Sequence, residues 1–512
     1  MQTPSATVPA RSALPGVARA LLDAVLARWV HIGTLTVRYA NGVQKTYGRG
    51  PTPRAGLVIR TAGAERRLAA NPALALGESY MNGELDTLDC SLHQLLDILF
   101  LNCSSKEHPA ERWLEKARWI ARRWNQRNSA SQARRNVSHH YDLDARLYAL
   151  LLDDDRQYSC AYFPKGDESL SEAQTLKKRH IASKLQLNRD GLHVLDIGCG
   201  WGGMALYLAR EHNAQVTGLT LSMQQLKVAR ERAAREGLQD RVRFELLDYR
   251  DWRTPVDRIV SVGMFEHVGI NHYATFFETV RDALHDDGVA LIHAIGQSTT
   301  PTSTNPWIAK YIFPGGYSPA LSEVLAAVEH SGLWATDIEI LRLHYATTLA
   351  HWRENLARHQ TQLRVLYNER FMRMFEFYLA GSELSFRRLR LINWQLQLTR
   401  RVDTLPLSRD YMFEQERAAA AAVSAGRPGR RLGTTNPSTI KLDEDHAIHE
   451  TMDLGVAGDE LRLRRQRTER SGHDAGCRHL ADQPGSPCLE CQESDSGALR
   501  LQRARAEDRQ GR

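Results

Sequence analysis

The chain has 512 residues, enough for two or three domains, and its 67 Lys and Arg against 60 Asp and Glu give a formal charge of +7. No apolar run reaches the ~18–20 residues of a membrane-spanning helix, and the stretch 17–29 is broken by Asp23 with no clear cleavage site behind it, so the expected location is the cytoplasm. Seven scattered cysteines with one close pair, Cys488 and Cys491, argue against a disulfide framework and a zinc site, and no metal is expected.

Residues 1–16 are rich in Pro, Ser and Ala and read as a flexible N-terminus. Val17–Trp29 reads as an amphipathic helix with Leu21, Leu22, Val25, Leu26 and Trp29 near one face. Segments 31–48 and 56–61 alternate apolar and polar residues around the turn signal Asn41-Gly42, which predicts a small α+β domain over 17–110. That domain contains the stretch Leu76-Gly-Glu-Ser-Tyr-Met-Asn-Gly-Glu-Leu85. A basic, Trp-rich helix and linker follow over 111–135. Trp113, Ala117, Ile120 and Trp124 share a face there, while Lys116, Arg118, Arg122 and Arg123 lie mostly elsewhere. Such a helix can lie in a membrane interface or pack its stripe against the next domain.

A further domain is expected from Asn136 to about Met412, and from 193 onward strands and helices alternate. Strands are predicted at 193–197, 215–219, 241–246, 258–263 and 288–295, with helices at 202–212, 222–236, 271–284 and 321–331. This pattern predicts an α/β fold, a mostly parallel Rossmann-like sheet with helices on both faces and a ligand cleft at the carboxyl ends of its strands. Residues 344–380 add helices, and Leu391–Thr399 reads as a last strand. Residues 413–512 are poor in Leu, Ile, Val and Phe and read as a disordered, low-complexity tail.

The organising stretch is Leu192-His-Val-Leu-Asp-Ile-Gly-Cys-Gly-Trp-Gly-Gly203, a buried strand that stops in a glycine turn before a helix. Its glycines at 198, 200, 202 and 203 miss the dinucleotide G-x-G-x-x-G spacing, and the P-loop Gly-Lys-Ser/Thr is absent. With Asp196 ahead of them, D-x-G-x-G is similar to motif I of the S-adenosylmethionine (AdoMet) methyltransferases. His139 and His140 are adjacent, so they share no helix face and make no metal pair.

Seven motifs together resemble a known family. Asn136-Val-Ser-His-His-Tyr-Asp-Leu143, Tyr158-Ser-Cys160, the glycine run, Thr220-Leu-Ser222, Asp257–Gly269, Asn305–Gly316 and Tyr345-Ala-Thr-Thr-Leu349 look like the cyclopropane-fatty-acyl-phospholipid synthases (mycolic acid cyclopropane synthase-like), in the family's order, over about 70–410. The resemblance implies a class I methyltransferase fold. It also implies transfer of the AdoMet methyl to a cis double bond of an unsaturated phospholipid acyl chain, followed by loss of a proton that closes the ring. It places a bound bicarbonate as the base, held by Cys160, Glu266, His293, the backbone of Ile295 and Tyr345. It places AdoMet on Tyr158, Ser159, Asp196, Gly198, Gly200, Thr220, Gln225, Asp248 and Tyr249, with Gln225 as the candidate for the ribose hydroxyls. By itself, Cys160 reads as a small buried hydrophobe, His293 as a core residue and His267 as a satisfied structural histidine. The implied partner is an anionic membrane surface, with no nucleic acid, peripheral attachment to the inner membrane and a homodimer through the N-terminal domain. The sequence departs from the family at Asp144-Ala-Arg146, where a Gly-Asn-like turn is usual. Two other readings stay open, methylation of another lipid or a small amine on the same fold, and an inactive lipid-surface binding protein.

Overall fold

The computed structural model describes residues 16–103 and 145–424. The basic Trp-rich helix, the motif Asn136–Leu143 and the residues beyond 424 lie outside these. Among the described residues no helix is long and apolar enough to cross a membrane.

Helix α1 (Val17–Trp29) buries Leu22 and Leu26, while Leu21 and Val25 of the same predicted face stay exposed. The hairpin β1 (Gly33–Arg38) and β2 (Gln44–Arg49) turns at Asn41-Gly42, and Gly42 takes φ +84°, which a Cβ would penalise. Strand β3 (Arg54–Ile59) runs parallel to β1 and pairs with β4 (Leu85–Thr87), giving the sheet order β2-β1-β3-β4. Helices α2 (Ala62–Ala70), α3 (Pro72–Met81) and α4 (Leu92–Cys103) complete this part.

The second part opens with α5 (Ala145–Leu151) and α6 (Leu170–Lys184). Then β5 (His193–Ile197), α7 (Gly203–His212), β6 (Gln215–Thr220), α8 (Met223–Glu236), β7 (Val242–Leu246), β8 (Val256–Val262), α9 (Tyr273–Ala283) and β9 (Leu284–Gln297) alternate as expected. Helices α10 (Pro306–Tyr311) and α11 (Leu321–Ser331), strand β10 (Trp334–Ile340), helices α12 (His344–Arg358), α13 (Gln360–Leu366) and α14 (Glu369–Arg388), strand β11 (Leu391–Thr399) and helix α15 (Asp410–Ser424) follow. The sheet order is β10-β11-β9-β8-β5-β6-β7, with β11 antiparallel to both neighbours and the others parallel. The order reverses at β5, between β8 and β6, and a crevice opens there at the carboxyl ends.

The stretch 76–85 is a docking surface. Gly77 lies so close under Trp307 that an added Cβ would sit 2.4 Å from its Nε1. Trp307 Nε1 donates to Met81 Sδ, and Glu78 accepts from Lys310 and Tyr311. Tyr80 donates to Glu376 of α14 at 2.8 Å, and Ala380 and Leu384 of that helix enter the N-terminal core.

Two elements extend the expected plan. The helix α6 was not apparent from periodicity, and α15 runs past residue 413, where composition places the start of the tail. Met412 of α15 is buried, Tyr411 is hydrogen-bonded to Gln397, and Glu416 reaches His180 of α6. These contacts give an otherwise Ala-rich segment a face to pack.

Candidate active site

The turn after β5 is shaped by backbone needs. Gly198 has φ +85°, and a Cβ there would lie 2.8 Å from that of Met264. The N–H groups of Gly198 and Cys199 both donate to Leu219 O, which fixes the turn against the end of β6. Gly200 has φ +54° and open space where a Cβ would be, so its backbone faces the crevice uncovered.

All nine residues expected to hold the cofactor line this one cleft: Tyr158, Ser159, Asp196, Gly198, Gly200, Thr220, Gln225, Asp248 and Tyr249. Thr220 donates to Gln225 Oε1 at 2.9 Å, so the Gln225 amide is oriented with its NH₂ group on offer. Asp248 is bound by its neighbour Arg250, Nη2 to Oδ2 at 2.7 Å and Nε to Oδ1 at 2.8 Å. Burial raises the Asp196 carboxyl to about 7, against a lowering pull from Lys177, and its Oδ2 has no partner. Gln157, Trp201, Arg250 and Pro314 also line the cleft and were not expected. Their only signal was adjacency to expected residues or family motifs. His267, read from sequence as structural, lines the cleft too, and burial depresses its imidazole to about 4.

The five residues expected to hold a base are absent from the cleft lining, and two of them, Glu266 and Ile295, are bonded to each other. Glu266, in the turn after β8, accepts the Ile295 N–H at 2.6 Å. Its other oxygen is buried without a partner, and burial raises the carboxyl to about 7. The Ile295 N–H offered to an anion by the sequence reading is thus engaged by Glu266. His293 lies two residues before Ile295, on the same face of β9. The Ile295 side chain packs on the core cluster that contains Cys160 and Tyr345. Burial pushes the Cys160 thiol far up, and Cys160 donates to Ala161 O at 3.3 Å.

Helix α12 presents Tyr345, Thr348 and Trp352 on one face to the loop 158–163. Thr348 Oγ1 accepts the Ala161 N–H at 3.0 Å. Trp352 stacks on Tyr158 at 5.0 Å, and Tyr345 meets Trp352 edge-on at 5.9 Å. Tyr158 and Tyr378 share a hydroxyl contact of 3.1 Å. Tyr158 of the cleft lining is therefore backed by aromatic rings.

Lys177 of α6, 0% exposed, was missed from the sequence. Its ammonium donates to Gln157 Oε1 at 2.5 Å and Ser159 Oγ at 2.9 Å, both cleft residues. Burial lowers it to about 8, opposed by Asp153. Asp155 sits beside it between Lys178 and Arg232.

Residues 128–396 match the family model described as mycolic acid cyclopropane synthetase, and 21–110 match one described as a domain of unknown function. The chain belongs to the mycolic acid cyclopropane synthetase family. It is 38% identical over 340 residues to the cyclopropane-fatty-acyl-phospholipid synthase of Escherichia coli, covering 66% of this chain and 86% of that one. It is 33% identical over 408 residues to a tuberculostearic acid methyltransferase of Mycobacterium tuberculosis, covering 75% and 95%. Among solved structures, a cyclopropane synthase of Mycobacterium tuberculosis superposes with a TM-score of 0.50 at 33% identity, covering 52% of this chain and 97% of that one. Membership makes this chain an AdoMet-dependent enzyme on the class I methyltransferase fold, the family and fold expected from its motifs.

Proposed function

We propose that this chain converts cis double bonds of phospholipid acyl chains to cyclopropanes at an anionic membrane surface. The observation that carries the reading is a pair of buried polar atoms without protein partners, Glu266 Oε2 and His293 Nε2, joined through β9. Buried polar groups are rarely left unsatisfied, and such atoms suit a small anion with lone pairs and a proton of its own. When bound, AdoMet supplies an electrophilic methyl and bicarbonate a base.

The chain's own residues supply the rest. The glycine turn and Gln225 hold the cofactor end. Burial keeps Cys160 a thiol and His293 neutral, so neither competes as nucleophile or proton sink, and His293 keeps one N–H to donate to an anion. A Glu266 carboxyl near neutrality can accept or donate. The rings of Tyr158, Trp352 and Tyr378 pack together behind the cleft lining and exclude water.

The test is mass spectrometry of membrane lipids from a host lacking such an enzyme, with and without this protein. A gain of one CH₂ per unsaturated chain, with a ring in the fragmentation, is expected. A methyl-branched product would keep the lipid and overturn the ring closure. No lipid change from folded, AdoMet-binding protein would overturn the reading.

A further inference from the structure

Strand β11 buries both faces. Ile392, Trp394, Leu396 and Leu398 enter the apolar core, whereas Asn393, Gln395, Gln397 and Thr399 are buried polar residues on the opposite face. Register places Gln395 directly opposite His293 on β9. The Gln395 amide nitrogen lies 3.1 Å from His293 Nδ1, and its oxygen accepts from Lys184 Nζ at 2.7 Å.

Lys184 is 1% exposed and sits at the last turn of α6. It is paired with Glu339 of β10, which also meets His180 Nε2 at 2.7 Å. His180 in turn lies under Tyr162, ring on ring at 4.2 Å, and touches Glu416 of α15 at 3.4 Å. The ammonium is thus fixed from two sides. It has three donors and no acceptor, so it selects the oxygen end of the Gln395 amide. The NH₂ end then has to face His293, and an NH₂ group only donates. Nδ1 must therefore be the bare nitrogen, and a neutral ring carries its proton on Nε2. Nε2 is the buried atom with no protein partner. Burial first, and then the nearby charges of Lys177 and Lys184, hold His293 well below its usual range, which keeps the ring neutral.

We propose that Lys184 and Gln395 are positioning residues that lock His293 in the Nε2–H tautomer, so that its one proton is presented to the bound anion. The anion part rests on the function proposed above; the tautomer part does not. The opposite tautomer would aim a lone pair at an anion and replace attraction with repulsion.

The decisive variant is Gln395→Glu. It is isosteric and keeps a partner for Lys184, but it offers only acceptors, so Nδ1 must bear a proton. Long-range proton–nitrogen NMR of histidine-labelled full-length enzyme, with His293 assigned by its absence in His293→Gln, reads the tautomer directly. Expected are a bare Nδ1 in the wild type and a protonated Nδ1 in Gln395→Glu. Turnover of unsaturated phospholipid vesicles should show KM for bicarbonate raised about tenfold or more, the worth of one donor to a charged group, with AdoMet affinity unchanged. A protonated Nδ1 in the wild type, or a bare one in Gln395→Glu, overturns the lock. If Gln395→Glu does not fold, Lys184→Met frees the amide to turn over, and an unchanged His293 spectrum there overturns it equally. A switched tautomer with unchanged turnover and bicarbonate dependence upholds the lock and overturns the bicarbonate role of His293.

Discussion

Glu266 Oε1 takes the N–H of Ile295 at 2.6 Å, and this bond ties the turn after β8 to the strand that carries His293. One carboxylate oxygen is thereby engaged by the fold, and the other is buried without a partner.

The Glu266 carboxyl has a testable pH signature. It sits at about 7 in the fold against an ordinary value of 4.5, raised by burial and partly restored by the Ile295 N–H. Below about pH 4.5 it is protonated in both states and has no effect. Between about 4.5 and 7 only the unfolded chain releases the proton, so stability falls as pH rises, by on the order of 3 kcal/mol in total. Glu266→Gln keeps an acceptor for Ile295 and cannot ionise. Its denaturant midpoint should gain on the wild type between pH 5 and 8, while turnover falls at least about tenfold and AdoMet binding holds. Parallel stability curves would show that the carboxyl does not carry this shift.

Gly200 and Gly198 should fail differently. A Cβ at Gly200 meets nothing, but a side chain there enters the cleft, so Gly200→Val should fold and lose AdoMet binding in calorimetry. Its φ of +54° adds strain of roughly 1–2 kcal/mol. Gly198→Ala carries comparable strain and also drives a methyl into Met264, so it should lower the melting temperature more. Retained AdoMet binding in Gly200→Val would contradict the glycine-turn site.

Lys177→Met tests the cleft floor. It leaves Gln157 Oε1 and Ser159 Oγ without their buried donor, a cost of roughly 1–3 kcal/mol per unsatisfied group. Weaker AdoMet binding by about tenfold is expected, with a smaller change in turnover at saturation. Unchanged AdoMet affinity would reduce Lys177 to a packing residue.

Strands β5 to β9, the glycine turn and the cleft were legible because each depends on local sequence. Leu195, Ile197, Gly198 and Gly200 announce their roles within one segment. Helix α6 was not legible because its buried side includes Gln174, Lys177, Lys178, His180 and Lys184, which erase the apolar period. Edge strand β10 was missed for a related reason, since Trp334 and Ile338 are exposed and Asp337 and Glu339 serve ion pairs. In β11 the alternation was visible, but alternation alone suggests a polar face in water. That face is covered by α6, and the lysine that satisfies Gln395 lies 211 positions away. Pairings between distant segments leave no trace in a single sequence.

Helix α15 turns composition into a boundary that can be cut. Its first turns bury Met412, bond Tyr411 to Gln397 and bring Glu416 to His180, which steadies Glu339 and through it Lys184. Residues 425–512 contain few large apolar side chains with which to build further core. Ending the chain after Ser424 should therefore leave melting temperature and turnover unchanged. Ending it after Arg409 removes the burial of Met412, worth roughly 1.5–3 kcal/mol, and takes the Tyr411 hydroxyl away from Gln397 of β11. A drop in melting temperature on the order of 5 °C and a loss of turnover are expected from that cut. Equal behaviour of the two truncations would show that α15 is dispensable and that the His180–Glu339–Lys184 chain holds without Glu416.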